Sequence, residues 1–168
     1  IGALNEAIEI GSSHEFMRYL ISKGACVKDS MLPNAAMWSA ISSVEFLIGR
    51  VDVNTLDNDG NTALCYAVHD QRTDIVDVLL TAGADPNLSS PLHIACEKGD
   101  VHNMLLLIAA GADFNQINNK GETPLFTAAY AGQPDAVTSL IVHGADTSKR
   151  SWHNKTPLEG ARMRSNNI

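Results

Sequence analysis

The chain has 168 residues and a formal net charge of −7, with 45% hydrophobic and 18% charged residues. This composition is typical of a soluble globular protein, and the negative charge disfavours a nucleic acid as the main partner. The longest apolar stretch, Met104 to Ala110, is far too short to span a bilayer, so we expect no membrane partner.

The cysteines and the first residue give expectations about location and completeness. Cys26, Cys65 and Cys96 are odd in number and form no C-x-x-C pair, which is typical of reduced thiols. We therefore expect a cytoplasmic or otherwise intracellular protein. A secreted effector that acts inside a host cell is the alternative. Because the sequence begins with Ile1 rather than Met, we expect it to be a fragment of a longer protein.

Two short phrases alternate along the chain, and their regular recurrence predicts a repeat protein. One phrase is Gly-Ala followed by a polar turn, and copies of it begin at Gly24, Gly83, Gly111 and Gly144. The other places a hydroxyl residue before Pro-Leu or Ala-Leu, with copies at Thr62, Ser90, Thr123 and Thr156.

The interval from Gly111 to Gly144 gives a period of about 33 residues, and with a T-P-L-H-like opening and a G-A-D-x-N close it resembles the ankyrin repeat. The resemblance implies an all-α fold, an ankyrin-repeat α-solenoid of stacked helix-turn-helix units with short β-hairpin fingers. We expect one domain over residues 1–168, in which the first two units are degenerate. The predicted units cover residues 1–28, 29–56, 57–89, 90–117, 118–150 and, as a partial unit, 151–168.

Residues at the unit boundaries predict how the helices begin and end. The four hydroxyl residues, Thr62, Ser90, Thr123 and Thr156, are positioned to cap the first helix of a unit. Gly11, Gly99 and Gly132 are suited to the left-handed conformation that ends this helix. Gln71 stands at the corresponding place in the third unit, so we expect a local irregularity there.

The spacing between the phrases predicts where the fingers survive. Pro91 follows soon after Asn87, whereas the interval from Asn115 to Pro124 is about twice as long, so the finger between the third and fourth units is shortened. We expect full fingers only near residues 56–61, 117–122 and 150–155.

The histidines and cysteines do not form a pattern that predicts chemistry. Cys65 and His69 share one face of a helix, but two ligands are fewer than a zinc site requires, and no carboxylate is placed to orient His69. We therefore expect no catalytic residue, no metal and no cofactor. The family resemblance implies that His93 hydrogen-bonds to neighbouring backbone and that Cys96 is a core residue.

The resemblance implies a non-catalytic module, expected to be a monomer, that binds another protein through a concave groove and finger tips. Trp152 and Tyr130 are the expected anchors, since aromatic residues are enriched at binding hot spots. Packing of Trp152 on a neighbouring finger or on the C-terminal cap is an equal alternative. Trp38 is expected to fill a defect in the second unit. The partner-binding candidates are Asn58, Asp59, Asn61, His69, Asp70, Glu97, Lys98, Asn119, Lys120, Glu122, Tyr130, Trp152, His153 and Lys155.

Charged residues are distributed unevenly along the chain. Residues 51–100 carry a balance of −7 and residues 147–168 a balance of +4, so complementary patches would orient a partner. We expect the binding face in the C-terminal half.

The alternative function is a regulatory or targeting segment of a larger enzyme or a secreted effector. An enzyme within these residues would need a pocket with converging polar groups. The resemblance also raises hydroxylation of Asn87 or Asn115, which the sequence leaves open.

Overall fold

The computed structural model describes residues 2–38, 40–151 and 153–165. These residues form eleven helices of seven to nine residues, and none of them lies in an extended strand apart from a single bridge between Ile48 and Val51. The all-α prediction is confirmed. The helices are α1 (Gly2–Glu9), α2 (His14–Ser22), α3 (Met31–Met37), α4 (Ile41–Leu47), α5 (Ala63–His69), α6 (Thr73–Thr81), α7 (Pro91–Lys98), α8 (Val101–Ala109), α9 (Pro124–Ala131), α10 (Pro134–Val142) and α11 (Pro157–Ser165). In the described part of the chain, no helix has the length and apolar character needed to cross a bilayer.

The helices divide between two compact units, an N-terminal unit of residues 1–88 and a C-terminal unit of residues 89–168. In the N-terminal unit, α3 packs between α1 and α5, while α4 packs between α2 and α6. In the C-terminal unit, α9 packs between α7 and α11, and α8 packs on α10. The boundaries of the six predicted repeats stay a prediction.

Small and aliphatic side chains form the core of each unit. Alanines with no exposed surface lie at the contacts between first helices, where a small side chain allows close packing. They are Ala35, Ala36, Ala67, Ala95 and Ala128. Larger residues on both helices of each pair, such as Leu47 and Leu79 in the N-terminal unit, are also fully buried. Burial of these apolar surfaces against neighbouring helices is the main stabilising contribution in a repeat protein.

Three of the four predicted helix caps are present. The hydroxyl oxygens of Thr62, Thr123 and Thr156 accept hydrogen bonds from the backbone N–H of the residue three positions later, at 3.2–3.3 Å. The prediction for Ser90 is wrong, because its side chain makes no capping hydrogen bond. The shortened link forces Ser89 and Ser90 into left-handed conformations with φ near 60°, whereas a capping residue needs an extended backbone.

The left-handed residues that end the first helices are observed as expected. Gly99 and Gly132 have φ values of 69° and 71°, and Gln71 adopts φ of 55° in the corresponding position. The predicted irregularity at Gln71 is therefore confirmed. Gly99 is required for a second reason, since a Cβ atom there would lie 2.5 Å from Oε1 of Gln133. The Nε2 atom of Gln133 donates to the carbonyl oxygen of Glu97, near the end of α7.

The three predicted fingers are hydrogen-bonded turns rather than pairs of strands. In each, a backbone N–H donates to the carbonyl oxygen four positions later at 2.9–3.0 Å, and the carbonyl oxygen of the same first residue accepts from the residue three positions later. The first residues of these turns are Asp57, Asn118 and Ser151. Each finger is therefore too short for a ladder of strand hydrogen bonds.

Candidate partner-binding surface

The finger of the N-terminal unit is organised by the carboxylate of Asp57. Its Oδ1 atom accepts from the backbone N–H groups of Asp59 and Asn61, both at 2.9 Å, and its Oδ2 atom accepts from the Tyr66 hydroxyl at 2.5 Å. Burial alone would raise the pKa of Asp57, but these hydrogen bonds outweigh it and hold that pKa below its ordinary value. The turn is thereby fixed to α5, and the side chains of Asn58 and Asp59 are exposed at its tip.

The finger of the C-terminal unit repeats this arrangement with an amide. The Oδ1 atom of Asn118 accepts from the backbone N–H of Lys120 at 2.9 Å and of Glu122 at 3.0 Å. The Nδ2 atom of Asn118 donates to Oε2 of Glu122 at 3.3 Å. Glu122, a predicted partner-binding residue, therefore also stabilises the turn. Asn119 and Lys120 are exposed at the tip.

The third finger places an asparagine where the other two have a glycine. Asn154 adopts φ of 57°, and it stands one repeat after Gly121, whose φ is 65°. Nη1 of Arg150 donates to the carbonyl oxygen of Asn154 at 2.7 Å. His153 is exposed and Lys155 is half-buried. Trp152, one of the two predicted anchors, lies outside the described residues.

The ends of the first helices carry the remaining candidates. In the N-terminal unit, Nδ1 of His69 donates to Oδ1 of Asp70 at 2.8 Å, and both side chains are exposed. In the C-terminal unit, Glu97, Lys98 and Tyr130 are exposed. Two of these candidate positions are thus joined to a neighbour by a side-chain hydrogen bond, His69 to Asp70 and Glu122 to Asn118. In the described part of the chain, no direct contact brings all of the candidate residues together.

Tyr130 is the large aromatic side chain that the C-terminal unit presents at a helix end. The residue is 47% exposed, and its ring stacks on the buried ring of Phe126 with 6.2 Å between ring centroids and an interplanar angle of 6°. Gly160 of α11 packs against Phe126, where an added Cβ atom would lie 2.9 Å from the ring. Tyr130 therefore contacts the core of the unit through Phe126, although much of the residue faces solvent.

Trp38 contradicts its prediction. The expectation was that this side chain fills a gap in the irregular second repeat, but its ring is 59% exposed. In the preceding helix α3, by contrast, Leu32, Ala35 and Ala36 have no exposed surface. Trp38 and the neighbouring Met37 are therefore surface residues of the N-terminal unit.

The buried histidine and cysteines have structural environments. Nε2 of His93 donates to the carbonyl oxygen of Glu122 at 2.8 Å, as the family resemblance implies, and burial lowers the pKa of His93. Burial raises the pKa of the Cys96 thiol to about 12, so it stays protonated at neutral pH and is a poor nucleophile. Burial likewise raises the pKa of Cys65. Among the described residues, no three His, Cys, Asp or Glu side chains are grouped so as to hold a metal ion.

The residues that fix the fingers were not predicted, although the sequence carries a signal for them. Asp57 precedes Gly60 by the same interval as Asn118 precedes Gly121, so both are first residues of equivalent turns. Asp and Asn favour this position because their side-chain oxygen can accept from the backbone two positions later. The stacking of Tyr130 on Phe126 has no comparable sequence signal.

Comparison with known proteins agrees with the repeat architecture. A family model described as "Ankyrin repeats (3 copies)" matches residues 4–90 and 92–167. Among similar curated proteins, the mitochondrial disaggregase of Bos taurus is 36% identical over 151 residues, covering 84% of this chain and 22% of the relative. A B-cell lymphoma 3 protein homolog of Mus musculus is 34% identical over 122 residues, covering 69% of this chain and 27% of the relative.

A bacterial relative is also similar. Protein PhlB of Serratia liquefaciens is 39% identical over 103 residues, covering 58% of this chain and 45% of the relative. The chain thus spans less than half the length of each of these three relatives. Since the family model covers nearly the whole chain, the chain belongs to the ankyrin-repeat family.

Proposed function

We propose that this chain is a non-catalytic protein-binding module whose partner docks on the finger tips and first-helix ends of the C-terminal unit. Ankyrin repeats generally act by binding other proteins, which supports the coarser part of this proposal. The residues we assign to the contact are Glu97, Lys98, Asn119, Lys120, Glu122, Tyr130, Trp152, His153 and Lys155.

The observation that carries the proposal is the exposed side chain of Tyr130, whose ring stacks on the buried ring of Phe126. A tyrosine held by stacking on Phe126 loses little side-chain entropy when a partner covers it. The fold does not require this exposure, because the buried Phe126 ring already fills the space between α9 and α11. Tyrosine is also among the residues enriched at the centres of protein interfaces.

The N-terminal unit supplies a second set of candidates with a different charge. Residues 1–88 contain twelve acidic and five basic side chains, whereas residues 89–168 contain seven of each. In the proposal, Asn58, Asp59, Asn61, His69 and Asp70 form an acidic contact that favours one orientation of a partner with a basic patch. Since Asn61 and His69 already hydrogen-bond within the unit, their contribution is smaller than that of Tyr130.

Site-specific photo-crosslinking in the native host tests the location of the face. The photoreactive amino acid p-benzoylphenylalanine would replace Tyr130 in one variant and Val142 in a matched control. Val142 is 77% exposed but lies at the end of a second helix. The proposal predicts that one protein is captured from position 130 and not from position 142. Equal capture from both positions, or capture from 142 alone, would contradict it.

The same proposal includes an intracellular location and a monomeric state. Support for the location comes from Cys65 and Cys96, which are buried and form no disulfide, and from the exposed Cys26, which also forms none. A mass measurement under non-reducing conditions should show a monomer in which all three cysteines react with a thiol reagent after unfolding. A disulfide in the native protein would contradict the proposed location.

The length of the relatives favours a second candidate function. Because the chain spans only 22–45% of the three relatives described above, we also propose that it serves as a regulatory or targeting segment within a longer protein. Sequencing the transcript that encodes this chain distinguishes the two candidates. An open reading frame that encodes a further catalytic or effector region supports the second, and one without such a region contradicts it.

A further inference from the structure

The N-terminal unit presents an exposed apolar patch, formed by Met37 and Trp38, that the proposed contact does not use. The two residues are 43% and 59% exposed at the end of α3. This helix packs between α1 and α5. Both neighbouring first helices are thus present beside the Trp38 patch, and they leave it open to solvent.

Trp38 and Asp70 occupy equivalent positions in neighbouring repeats. Each is the first residue after a first helix, and their backbones are nearly identical, with φ and ψ of −86° and 6° for Trp38 and of −91° and 8° for Asp70. Since α3 packs on α5, residues at equivalent positions lie about one helix spacing apart, roughly 8–10 Å. A partner side chain that lies between the two residues can therefore contact both.

Two other aromatic rings of this unit are already in contact with a cation of the chain itself. Nζ of Lys23 lies 5.5 Å from the centroid of the Tyr19 ring, and the guanidinium of Arg50 lies 4.3 Å from that of the Phe46 ring. In the described part of the chain, no cation and no second ring stacks on Trp38. Tryptophan is also the side chain whose face attracts a cation most strongly.

The charges beside the Trp38 patch are predominantly acidic. Oδ1 of Asp70 accepts from Nδ1 of His69 at 2.8 Å, and its Oδ2 atom has no hydrogen bond to another described residue. On the other side of the patch, Glu9 is exposed at the end of α1. The basic residue that follows Asp70 in the chain is Arg72, which is paired with Asp74 at 2.6 Å. A cation of a partner is therefore favoured here.

We propose that the Trp38 patch binds an arginine of the partner protein, whose guanidinium stacks on the Trp38 ring and pairs with the Asp70 carboxylate. Arginine meets both requirements, because its planar guanidinium stacks on aromatic faces and donates two hydrogen bonds to one carboxylate. A neighbouring aliphatic side chain of the partner packs on Met37, whose flexible side chain adapts to different shapes. This inference rests on the proposed function, since it supplies the partner chemistry for the acidic contact of the N-terminal unit.

The test uses a short synthetic peptide, acetyl-Gly-Leu-Arg-Leu-Gly-amide, as the probe. In two matched peptides, lysine keeps the charge but not the planar group, and citrulline keeps the shape but not the charge. Binding is followed through the chemical shifts of backbone amides, which should change at the ends of α3 and α5. The arginine peptide should bind about twofold or more tighter than the lysine peptide and about fivefold tighter than the citrulline peptide.

Matched variants locate the contact on the protein. Trp38→Leu keeps an apolar side chain but removes the aromatic face, and it should weaken binding of the arginine peptide about fivefold. Its control is Tyr19→Leu, which should change the affinity by less than about 1.5-fold because Lys23 already lies over the Tyr19 ring. Asp70→Asn should weaken binding about threefold, whereas Asp77→Asn, on an exposed side chain of α6, should change it by less than about 1.5-fold. Circular dichroism confirms that each variant is folded.

Several results would overturn the proposal. Equal binding of the arginine and citrulline peptides, an affinity that is unchanged in Trp38→Leu, or no shift changes at about 10 mM arginine peptide would each do so. A dimer seen by sedimentation velocity that dissociates in Trp38→Leu would assign the Trp38 patch to a second copy of the chain. Photo-crosslinking from position 130 reports on the C-terminal unit, so failure of the peptide test and failure of the proposed function are distinguishable.

Discussion

The two units contain the same kind of helix pair, but they keep the local rules of the repeat to different extents. In the N-terminal unit, α3 and α4 have only seven residues and neither has a side-chain cap. In the C-terminal unit, α7, α9 and α10 each begin with proline, and α8 is capped by Asp100. Both units nevertheless bury a core of mainly aliphatic side chains. The packing of the core therefore determines that a helix pair forms, and the caps adjust the stability of that pair.

The largest expected effect tests whether the two cores are equivalent. Leu64 and Leu125 occupy the same position of the first helix and are 1% and 2% exposed. Leu64→Ala and Leu125→Ala should each lower the free energy of unfolding by roughly 2–5 kcal/mol, because each leaves a cavity. Urea denaturation followed by circular dichroism measures both. A loss that is several-fold smaller for one variant would show that the cores differ despite their similar burial.

A second prediction exchanges the residues that end the first helix. Gly99→Ala should lower the free energy of unfolding by about 1–2 kcal/mol, since it strains a positive φ and displaces the Gln133 side chain. Gln71→Gly should raise it by up to about 1 kcal/mol, because a strained φ of 55° is relieved. Thermal and urea denaturation measure both changes. If both substitutions changed the free energy of unfolding in the same direction, positions 71 and 99 would not be equivalent helix ends.

A third prediction compares a cap that is present with one that is lost. Thr62→Ala should lower the free energy of unfolding by about 1 kcal/mol, because the N–H of Cys65 loses its acceptor. Ser90→Ala should have an effect within about 0.5 kcal/mol of zero, since the Ser90 side chain makes no cap. Denaturant titration of the two single variants is sufficient. A larger loss for Ser90 would mean that its hydroxyl has a role besides capping.

The smallest expected effect distinguishes the two fingers by pH. The pKa of Asp57 is lowered in the folded state. The ionised carboxylate therefore adds to the free energy of unfolding above the ordinary aspartate pKa, and this addition is lost as pH falls through the lower folded pKa. Asp57→Asn should remove this acid-dependent part, which we expect to be under about 1 kcal/mol because the site is near the surface. Asn118→Asp should not reproduce this dependence in the other finger, because the new carboxylate would lie beside Oε2 of Glu122, which accepts from Asn118 at 3.3 Å, and a neighbouring negative charge raises the pKa of a carboxyl group. Unfolding curves from neutral pH down to acidic pH measure it, and identical slopes for both variants and the wild type would contradict the role of Asp57.

The sequence was sufficient to predict much of the fold for a physical reason. Helix caps, left-handed glycines and the strain at Gln71 depend on residues close in the chain, and they recur from one repeat to the next. The lost cap at Ser90 could not be predicted from the residue type, because it depends on how the shortened link is accommodated. Trp38 was predicted wrongly because a large aromatic residue type does not by itself show whether the side chain is buried.

The candidate surface was less predictable than the fold. The exposed tips could be anticipated from the finger spacing, but the hydrogen bonds that join Glu122 to Asn118 could not. Side-chain contacts of this kind are not encoded in a periodic pattern of residue types.

The affinity of a partner for Tyr130→Ala tests the central claim most directly. The protein captured by photo-crosslinking from position 130 would be purified, and its affinity measured for the wild type, Tyr130→Ala and Tyr19→Ala. Tyr19 is a matched control, since it is 55% exposed on α2 of the N-terminal unit. We predict a loss of about tenfold or more for Tyr130→Ala and less than about twofold for Tyr19→Ala. Equal affinities for all three proteins, with Trp152→Ala also unchanged, would contradict the assignment of the binding face.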